Sequence, residues 1–172
     1  RKNIKELGLE LLGYRVVPVD HSVPGPGAVE VEPVIEQVFV KTKDENLSNE
    51  AFERKLFVLR NHTSHVISRD VKGSNNEFYV ASFSSRTIVY KGQLRTEQLR
   101  EYFYDLQDVR VKTALALVHS RFSTNTFPNW KLAQPFRYIA HNGEINTIRG
   151  NVNKMKSKEA LFKSTLFTDE EI

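Results

Sequence analysis

The sequence contains no cysteine and only one methionine and one tryptophan among its 172 residues. Without cysteine the chain can form no disulfide and offers no thiolate to a metal, which fits a cytosolic origin. The longest apolar run, Ala114 to Val118, is far shorter than the roughly 18 residues that a membrane-spanning helix needs. No apolar signal region follows the opening Arg1-Lys2-Asn3. These absences predict a protein outside the membrane and the secretory pathway.

Charge is moderate and dispersed, with a formal net charge of +4. The densest basic group contains Lys154, Lys156, Lys158 and Lys163, of which Lys154 and Lys158 lie at the i,i+4 spacing of one solvated helix face. The diagnostic motifs of nucleic-acid-binding proteins are absent. The sequence therefore predicts no nucleic-acid partner.

Hydrophobic periodicity predicts mixed helices and strands. Near the N-terminus it predicts a helix over 3–12 that Gly13 ends, strands over 14–19 and 34–41, and a loop over 23–27. The remaining expected elements are a helix from Ser48 to about His65, a hairpin of residues 77–83 and 86–91 with a Ser84-Ser85 turn, a short helix capped by Thr96, a strand over 136–141, and a helix start at Thr168-Asp169-Glu170-Glu171. Residues 113–119 suit a buried strand by length and flanks, although their Ala and Leu content favours helix. Trp130, between Pro128 and Pro135, is expected to anchor a loop.

Arg121 lies two residues after the apolar segment 113–119 and is a candidate binding residue. Its forked guanidinium matches a carboxylate bidentately, which suits an amino-acid substrate. The alternative is an internal Arg–Asp or Arg–Glu pair, because structural ion pairs are common.

The Asn142-Gly143 pair also has two interpretations. Asn-Gly is a frequent two-residue hairpin turn. The same pair can form an oxyanion hole, in which the Asn amide and the Gly backbone N–H donate to the oxygen of a tetrahedral intermediate. Glycine suits this role because the substrate must approach the backbone closely.

His62 and His65 form a His-x-x-His pair that places both rings on one helix face. A zinc site usually needs three or four protein ligands, and the sequence offers no third one nearby. We therefore expect no metal site.

Two ordered segments carry a family resemblance: His119-Ser-Arg-Phe-Ser-Thr-Asn125 and Tyr138-Ile-Ala-His-Asn-Gly-Glu-Ile-Asn146. Together they resemble the class II, or N-terminal-nucleophile, glutamine amidotransferases. Longer strings are similar to the glutamate synthase family: Arg121-Phe-Ser-Thr-Asn-Thr-Phe-Pro-Asn-Trp130, Ala133-Gln-Pro-Phe-Arg137, His141-Asn-Gly-Glu-Ile-Asn-Thr-Ile-Arg-Gly-Asn151, Gly13-Tyr-Arg-Val-Val-Pro-Val-Asp20 and Ser85-Arg-Thr-Ile-Val-Tyr-Lys-Gly92. The resemblance covers most of the chain.

The resemblance implies a role for four residues. Arg121 would bind the glutamine α-carboxylate with Thr124 in support, while Asn142 and Gly143 would form the oxyanion hole. The family's nucleophile is an N-terminal cysteine whose α-amine serves as base. Since the sequence has no cysteine, that residue is expected upstream of Arg1. The aspartate that holds the substrate's amino group is expected beyond Ile172.

The resemblance also implies a fold and a setting. Residues 1–172 would form part of one amidotransferase domain, an α+β four-layer αββα sandwich of the N-terminal-nucleophile hydrolase type, incomplete at both ends. FMN and an iron–sulfur cluster would belong to other domains of the same protein. The implied partners are L-glutamine, those remaining synthase domains and a small reductase subunit, and the implied location is the cytoplasm or a plastid.

Two other functions stay open. One is another class II amidotransferase, making an amino sugar, a purine precursor or asparagine. The other is a non-catalytic, amidotransferase-like scaffold that binds a partner.

If one glutamine molecule occupies the site, the Arg121 guanidinium and the Asn142-Gly143 donors should lie within roughly 10 Å of each other.

Overall fold

The computed structural model of the chain describes residues 2–70, 78–121, 127–136, 147–168 and 171. The chain divides into two compact units, Arg1–Ala140 and His141–Ile172, and each is described by itself. Within the described ranges, no helix is both long and apolar enough to cross a membrane.

The first unit contains most of the regular structure. Its elements are helix α1 (Lys2–Glu6), strand β1 (Leu9–Val16), helix α2 (Pro26–Val29), strand β2 (Glu36–Thr42), helix α3 (Asn49–Asp70), helix α4 (Thr96–Tyr102) and a 3-10 turn at Tyr104–Gln107. The described part of the second unit has one helix, α5 (Ile148–Glu159). The class of mixed helices and strands is therefore confirmed.

The helix expected over 3–12 is confirmed only over its first residues, because the chain changes direction at Gly8. Helix α1 ends at Glu6, and Gly8 has a φ of +68°, a left-handed conformation that glycine adopts without steric cost. The Lys55 ammonium donates to the carbonyl of Leu7 at 2.7 Å. Leu9 then begins β1 and is completely buried. The glycine that ends the helix is thus Gly8, and Gly13 lies inside the strand.

Strands β1 and β2 form an antiparallel pair. The register joins Leu11 to Val40 and Gly13 to Phe39, so the pairing has an irregularity at the intervening residue of β1. The strand expected over 34–41 is confirmed as β2, whereas the one expected over 14–19 is shifted: β1 begins at Leu9 and ends at Val16. In the described residues this pair is the whole sheet. The four-layer sandwich stays a prediction.

Two further strand expectations differ from the structure. The described residues 78–91 form no ladder; instead, Glu53 on α3 accepts hydrogen bonds from the backbone N–H and the hydroxyl of Ser85 at 2.7 and 2.6 Å. Residues 113–119 are neither helix nor strand and are mostly exposed, with Val118 at 77%. A strand needs a hydrogen-bonded neighbour, and no described strand lies beside this segment.

Two of the expected helix starts agree with the structure to within one residue. The hydroxyl of Ser48 accepts the N–H of Ala51 at 3.2 Å, as an N-cap should, and α3 runs on to Asp70. Helix α4 begins at Thr96 as its first residue, with Arg95 in the capping position. At the far end, the N–H of Thr168 donates to the Glu171 carboxylate at 2.9 Å, but the helix start expected over 168–171 lies partly outside the described residues and stays a prediction. The loop expected over 23–27 overlaps the first two residues of α2, which Pro26 opens.

Two apolar clusters hold the first unit together. Ile4, Leu9, Leu56 and Leu59 pack α3 against α1 and β1. The other cluster joins buried residues from four separate parts of the chain: Val17, Ala28, Tyr102 with Phe103, and Trp130. Trp130 is only 3% exposed, and its indole N–H donates to the carbonyl of Ala28 at 2.9 Å. Its expected role as a loop anchor is confirmed.

Candidate active site

Arg121 is the one expected site residue that the structure describes. Its side chain is exposed, and no described acidic residue forms an ion pair with it. An exposed guanidinium is open to a ligand carboxylate in a way that a buried ion pair would not be. The role of Arg121 in binding glutamine stays a prediction.

The other three expected site residues, Thr124, Asn142 and Gly143, lie outside the described residues. So do most of the strand expected over 136–141 and the acidic pair Asp169-Glu170. The expected distance between Arg121 and the Asn142-Gly143 donors is therefore untested.

The described segment that precedes Asn142-Gly143 in sequence is held by a buried lysine. Lys91 is 7% exposed, and its ammonium donates to the carbonyls of Lys131 and Ala133 at 2.7 and 2.8 Å. The same nitrogen lies 4.4 Å from the ring centre of Phe136 and 5.4 Å from that of Tyr79, both within the range of cation–π attraction. One ammonium group thus contacts three positions within residues 131–136.

Electrostatics make this lysine unusual. Burial lowers the pKa of Lys91 to about 8, because the charged amine has left water. Among the described residues, no carboxylate pairs with it. A buried charge without a counter-ion is costly, so its carbonyl and ring contacts are what keep the ammonium in place.

Gly92, the next residue, allows Trp130 to approach the backbone. A Cβ atom added to Gly92 would lie 2.4 Å from Cζ3 of the Trp130 ring, closer than side chains can pack. Gly92 thus lets Trp130 pack closely, and Lys91 contacts the residues that follow it, 131–136. The sequence around Tyr90-Lys91-Gly92 does not reveal this role, because a lysine beside a glycine carries no local sign of burial.

His62 and His65 lie on α3 with exposed side chains. No three His, Cys, Asp or Glu side chains of the described ranges are grouped as metal ligands would be. An iron–sulfur cluster bound by thiolates would also have no ligands here, since the chain has no cysteine.

Comparison with known proteins decides the family. The family model described as "Glutamine amidotransferases class-II" matches residues 1–172. The chain belongs to the class II glutamine amidotransferases. This result agrees with the two motif segments around Arg121 and Asn142.

Among curated proteins, this chain is similar to several glutamate synthases. It is 48% identical to the glutamate synthase [NADH] of Schizosaccharomyces pombe, over 96% of this chain and 8% of that protein. It is 43% identical to the ferredoxin-dependent glutamate synthase of Antithamnion sp., over 96% of this chain and 11% of the relative. The large chain of the glutamate synthase [NADPH] of Bacillus subtilis is 46% identical, over 97% of this chain and 11% of the relative. The chain thus spans about a tenth of the length of these relatives.

Proposed function

We propose that this chain is part of the glutamine-hydrolysing domain of a glutamate synthase. The observation that carries the proposal is identity of 43–48% to glutamate synthases over nearly the whole chain. The relatives include proteins named for NADH, NADPH and ferredoxin, so the resemblance does not depend on the electron donor. Residues 1–172 would belong to one domain with the four-layer αββα fold.

The proposed reaction begins with a cysteine of the whole protein that lies outside this chain. Its sulfur attacks the side-chain amide carbon of L-glutamine, and its own α-amine takes the thiol proton and returns it to the departing ammonia. Water then hydrolyses the thioester to glutamate. An α-amine with an ordinary pKa of about 8 can accept a proton near neutral pH.

This chain would supply the groups that bind glutamine and stabilise the intermediate. Arg121 would hold the α-carboxylate, with Thr124 donating in support. The side-chain amide of Asn142 and the backbone N–H of Gly143 would donate to the negative oxygen of the tetrahedral intermediate. The exposed guanidinium of Arg121 supports the first of these roles.

Elsewhere in the whole protein, the released ammonia would aminate 2-oxoglutarate, and reduction would give a second glutamate. FMN and an iron–sulfur cluster would carry the electrons in other domains, with a small reductase subunit as the expected donor partner. The protein would work in the cytoplasm or in a plastid.

The test is glutamine hydrolysis by the whole protein, measured as ammonia release. Asn142→Ala should lower kcat by about 10²–10³, because a lost oxyanion donor weakens the transition state more than bound substrate. Arg121→Ala should mainly raise KM, because the carboxylate is held equally before and during the reaction. If Asn142→Ala raised KM and left kcat intact, the oxyanion role would be wrong.

The same assay separates the alternatives. A non-catalytic scaffold would release no ammonia even in the whole protein. Another class II amidotransferase would hydrolyse glutamine but would form no glutamate from 2-oxoglutarate and a reductant. This chain by itself should release no ammonia above background, because it contains no cysteine.

A further inference from the structure

Phe127 lies on the surface of the first unit and is 95% exposed, the largest value among the large apolar residues that the structure describes. Burying a phenylalanine ring away from water is favourable, so an exposed ring gives up stability that a covered ring would provide. Exposure alone assigns no role, because single apolar residues are common on protein surfaces. Phe127 differs from such residues in how firmly the chain next to it is held.

The chain next to Phe127 is held by contacts with distant parts of the first unit. The Gln93 side-chain amide donates to the carbonyl of Pro128 at 3.1 Å. Trp130 is buried, and its indole N–H donates to the carbonyl of Ala28 at 2.9 Å. A proline also restricts the residue before it to extended backbone conformations, so Pro128 limits the backbone of Phe127 itself. The ring of Phe127 is therefore presented to solvent by a segment with little conformational freedom.

Hydrogen bonds within the segment close a turn at Asn129. The Asn129 side chain accepts the N–H of Lys131 at 2.8 Å. Its backbone carbonyl accepts the N–H groups of Leu132 and Ala133 at 3.1 and 3.0 Å, respectively. These bonds do not involve the Phe127 ring, so the turn keeps its shape whether or not the ring is covered. A side chain held in this way loses little conformational entropy on binding, and aromatic residues are frequent among those that carry most of the binding energy of an interface.

We propose that the Phe127 ring inserts into an apolar pocket of another domain of the same protein, outside residues 1–172. The proposal rests on the proposed function, because a glutamate synthase is much longer than this chain. The chain spans 8%, 11% and 11% of the three relatives described above, so the remaining domains are the partner that the protein itself supplies. Phe127 then belongs to the interface between the amidotransferase domain and a neighbouring domain.

The composition of the turn indicates what kind of pocket receives the ring. Residues 127–136 contain one lysine and no acidic residue, and Leu132 is 52% exposed. Aliphatic and aromatic groups cover such side chains best and form the core of most interfaces. Because like charges repel across an interface, the rim of the pocket should not be basic. We therefore expect a pocket lined by aliphatic and aromatic side chains, with a neutral or acidic rim.

A photoreactive residue at position 127 identifies the partner in the whole protein. p-Benzoylphenylalanine in place of Phe127 keeps an aromatic ring and has room for its larger side chain, because the position is exposed in this chain. Irradiation followed by mass spectrometry of peptides should give a main cross-link to a peptide outside residues 1–172. The same photoreactive residue in place of Lys43, an exposed lysine in the polar stretch 41–46, is the matched control and should give little cross-linking.

Two substitutions at position 127 test the importance of the ring without a cross-linker. Phe127→Ser removes the apolar side chain, whereas Phe127→Leu keeps a smaller apolar group. Phe127→Ser should speed amide hydrogen exchange by about tenfold or more in at least one peptide outside residues 1–172, because truncation of a contact residue opens the interface. Phe127→Leu should have a smaller effect, and Lys43→Ser should have none. Because Phe127 is exposed in this chain, neither substitution of it should disturb the fold of the first unit.

Glutamine hydrolysis by the parent, measured as ammonia release, separates this proposal from the proposed function. A parent that releases no ammonia refutes the proposed function, whatever the cross-link. With an active parent, cross-links confined to residues 1–172 overturn the proposal, because the ring would then be covered by its own chain. Cross-linking no stronger than at position 43 also overturns it, as does a cross-link to a second copy or to a separate subunit. Unchanged exchange outside residues 1–172 in Phe127→Ser would show that the ring carries no binding energy, and this result too would overturn the proposal.

Discussion

Replacing Gly92 with alanine tests how tightly Trp130 is packed against the backbone. The new Cβ would lie 2.4 Å from Cζ3 and 2.7 Å from Cε3 of the indole. Carbon atoms pack at about 3.5–4.0 Å, so one partner must move by about 1 Å. Trp130 cannot move freely, because it is 3% exposed and its N–H is bound to the carbonyl of Ala28 at 2.9 Å.

The cost follows from these contacts. Overpacking a core costs about 1–3 kcal/mol, and loss of the indole hydrogen bond adds about 1 kcal/mol. We therefore expect Gly92→Ala to lower the free energy of unfolding by about 2–4 kcal/mol. With a slope of about 2 kcal/mol per molar urea, the unfolding midpoint should fall by about 1–2 M.

The assay is urea unfolding followed by circular dichroism, with Gly13→Ala as the matched control. A Cβ at Gly13 would meet nothing within 4 Å, so this variant should unfold within about 0.5 kcal/mol of the parent. Because Trp130 is the one tryptophan of the chain, its fluorescence reports directly on the packing at this position.

A double-mutant cycle with Trp130→Phe identifies the cause. The smaller ring removes most of the clash, so Gly92→Ala should cost less in the Trp130→Phe background, with a coupling of about 1–3 kcal/mol. Equal costs in the two backgrounds would show that Trp130 is not what excludes a side chain at position 92.

Three further predictions concern polar and charged side chains. Burial lowers the pKa of Lys91 to about 8, so the buried charge destabilises the folded state below that pH, and this cost disappears as the pH rises towards the ordinary lysine value. Between pH 7.5 and pH 9.5 the urea midpoint of the parent should therefore rise relative to that of Lys91→Met. Equal midpoint shifts in the two proteins would contradict this. The ring of Tyr102 is fully buried, and its hydroxyl donates to the Glu32 carboxylate. Tyr102→Phe removes this hydroxyl and should lower the free energy of unfolding, measured in urea, by about 1–3 kcal/mol. No measurable loss would show that this hydrogen bond does not stabilise the fold. Glu53→Gln leaves a neutral acceptor for the N–H of Ser85 and should cost about 1 kcal/mol in the same assay, whereas a gain in stability would refute the role of this carboxylate.

Local signals in the sequence predicted several features correctly. Ser48 marks the start of α3 because a hydroxyl at that position satisfies a free N–H of the first turn. Trp130 could be expected to anchor a loop because a large apolar ring lies between two prolines. The ordered motifs around Arg121 and Asn142 indicated the amidotransferase family, although the geometry of those motifs stays a prediction.

Other features depend on residues that are far apart along the chain. Residues 3–12 fit a helix by period, yet Leu9 lies in a strand because β2 pairs with it and α3 covers it. Lys91 donates to a carbonyl 42 residues away, and Trp130 donates to one 102 residues away. Burial of a charge and exclusion of a side chain at Gly92 arise from these distant partners. Sequence periodicity and capping signals depend only on residues that are near each other in the chain. The burial of Lys91 and the close packing at Gly92 were therefore decided by the tertiary structure alone.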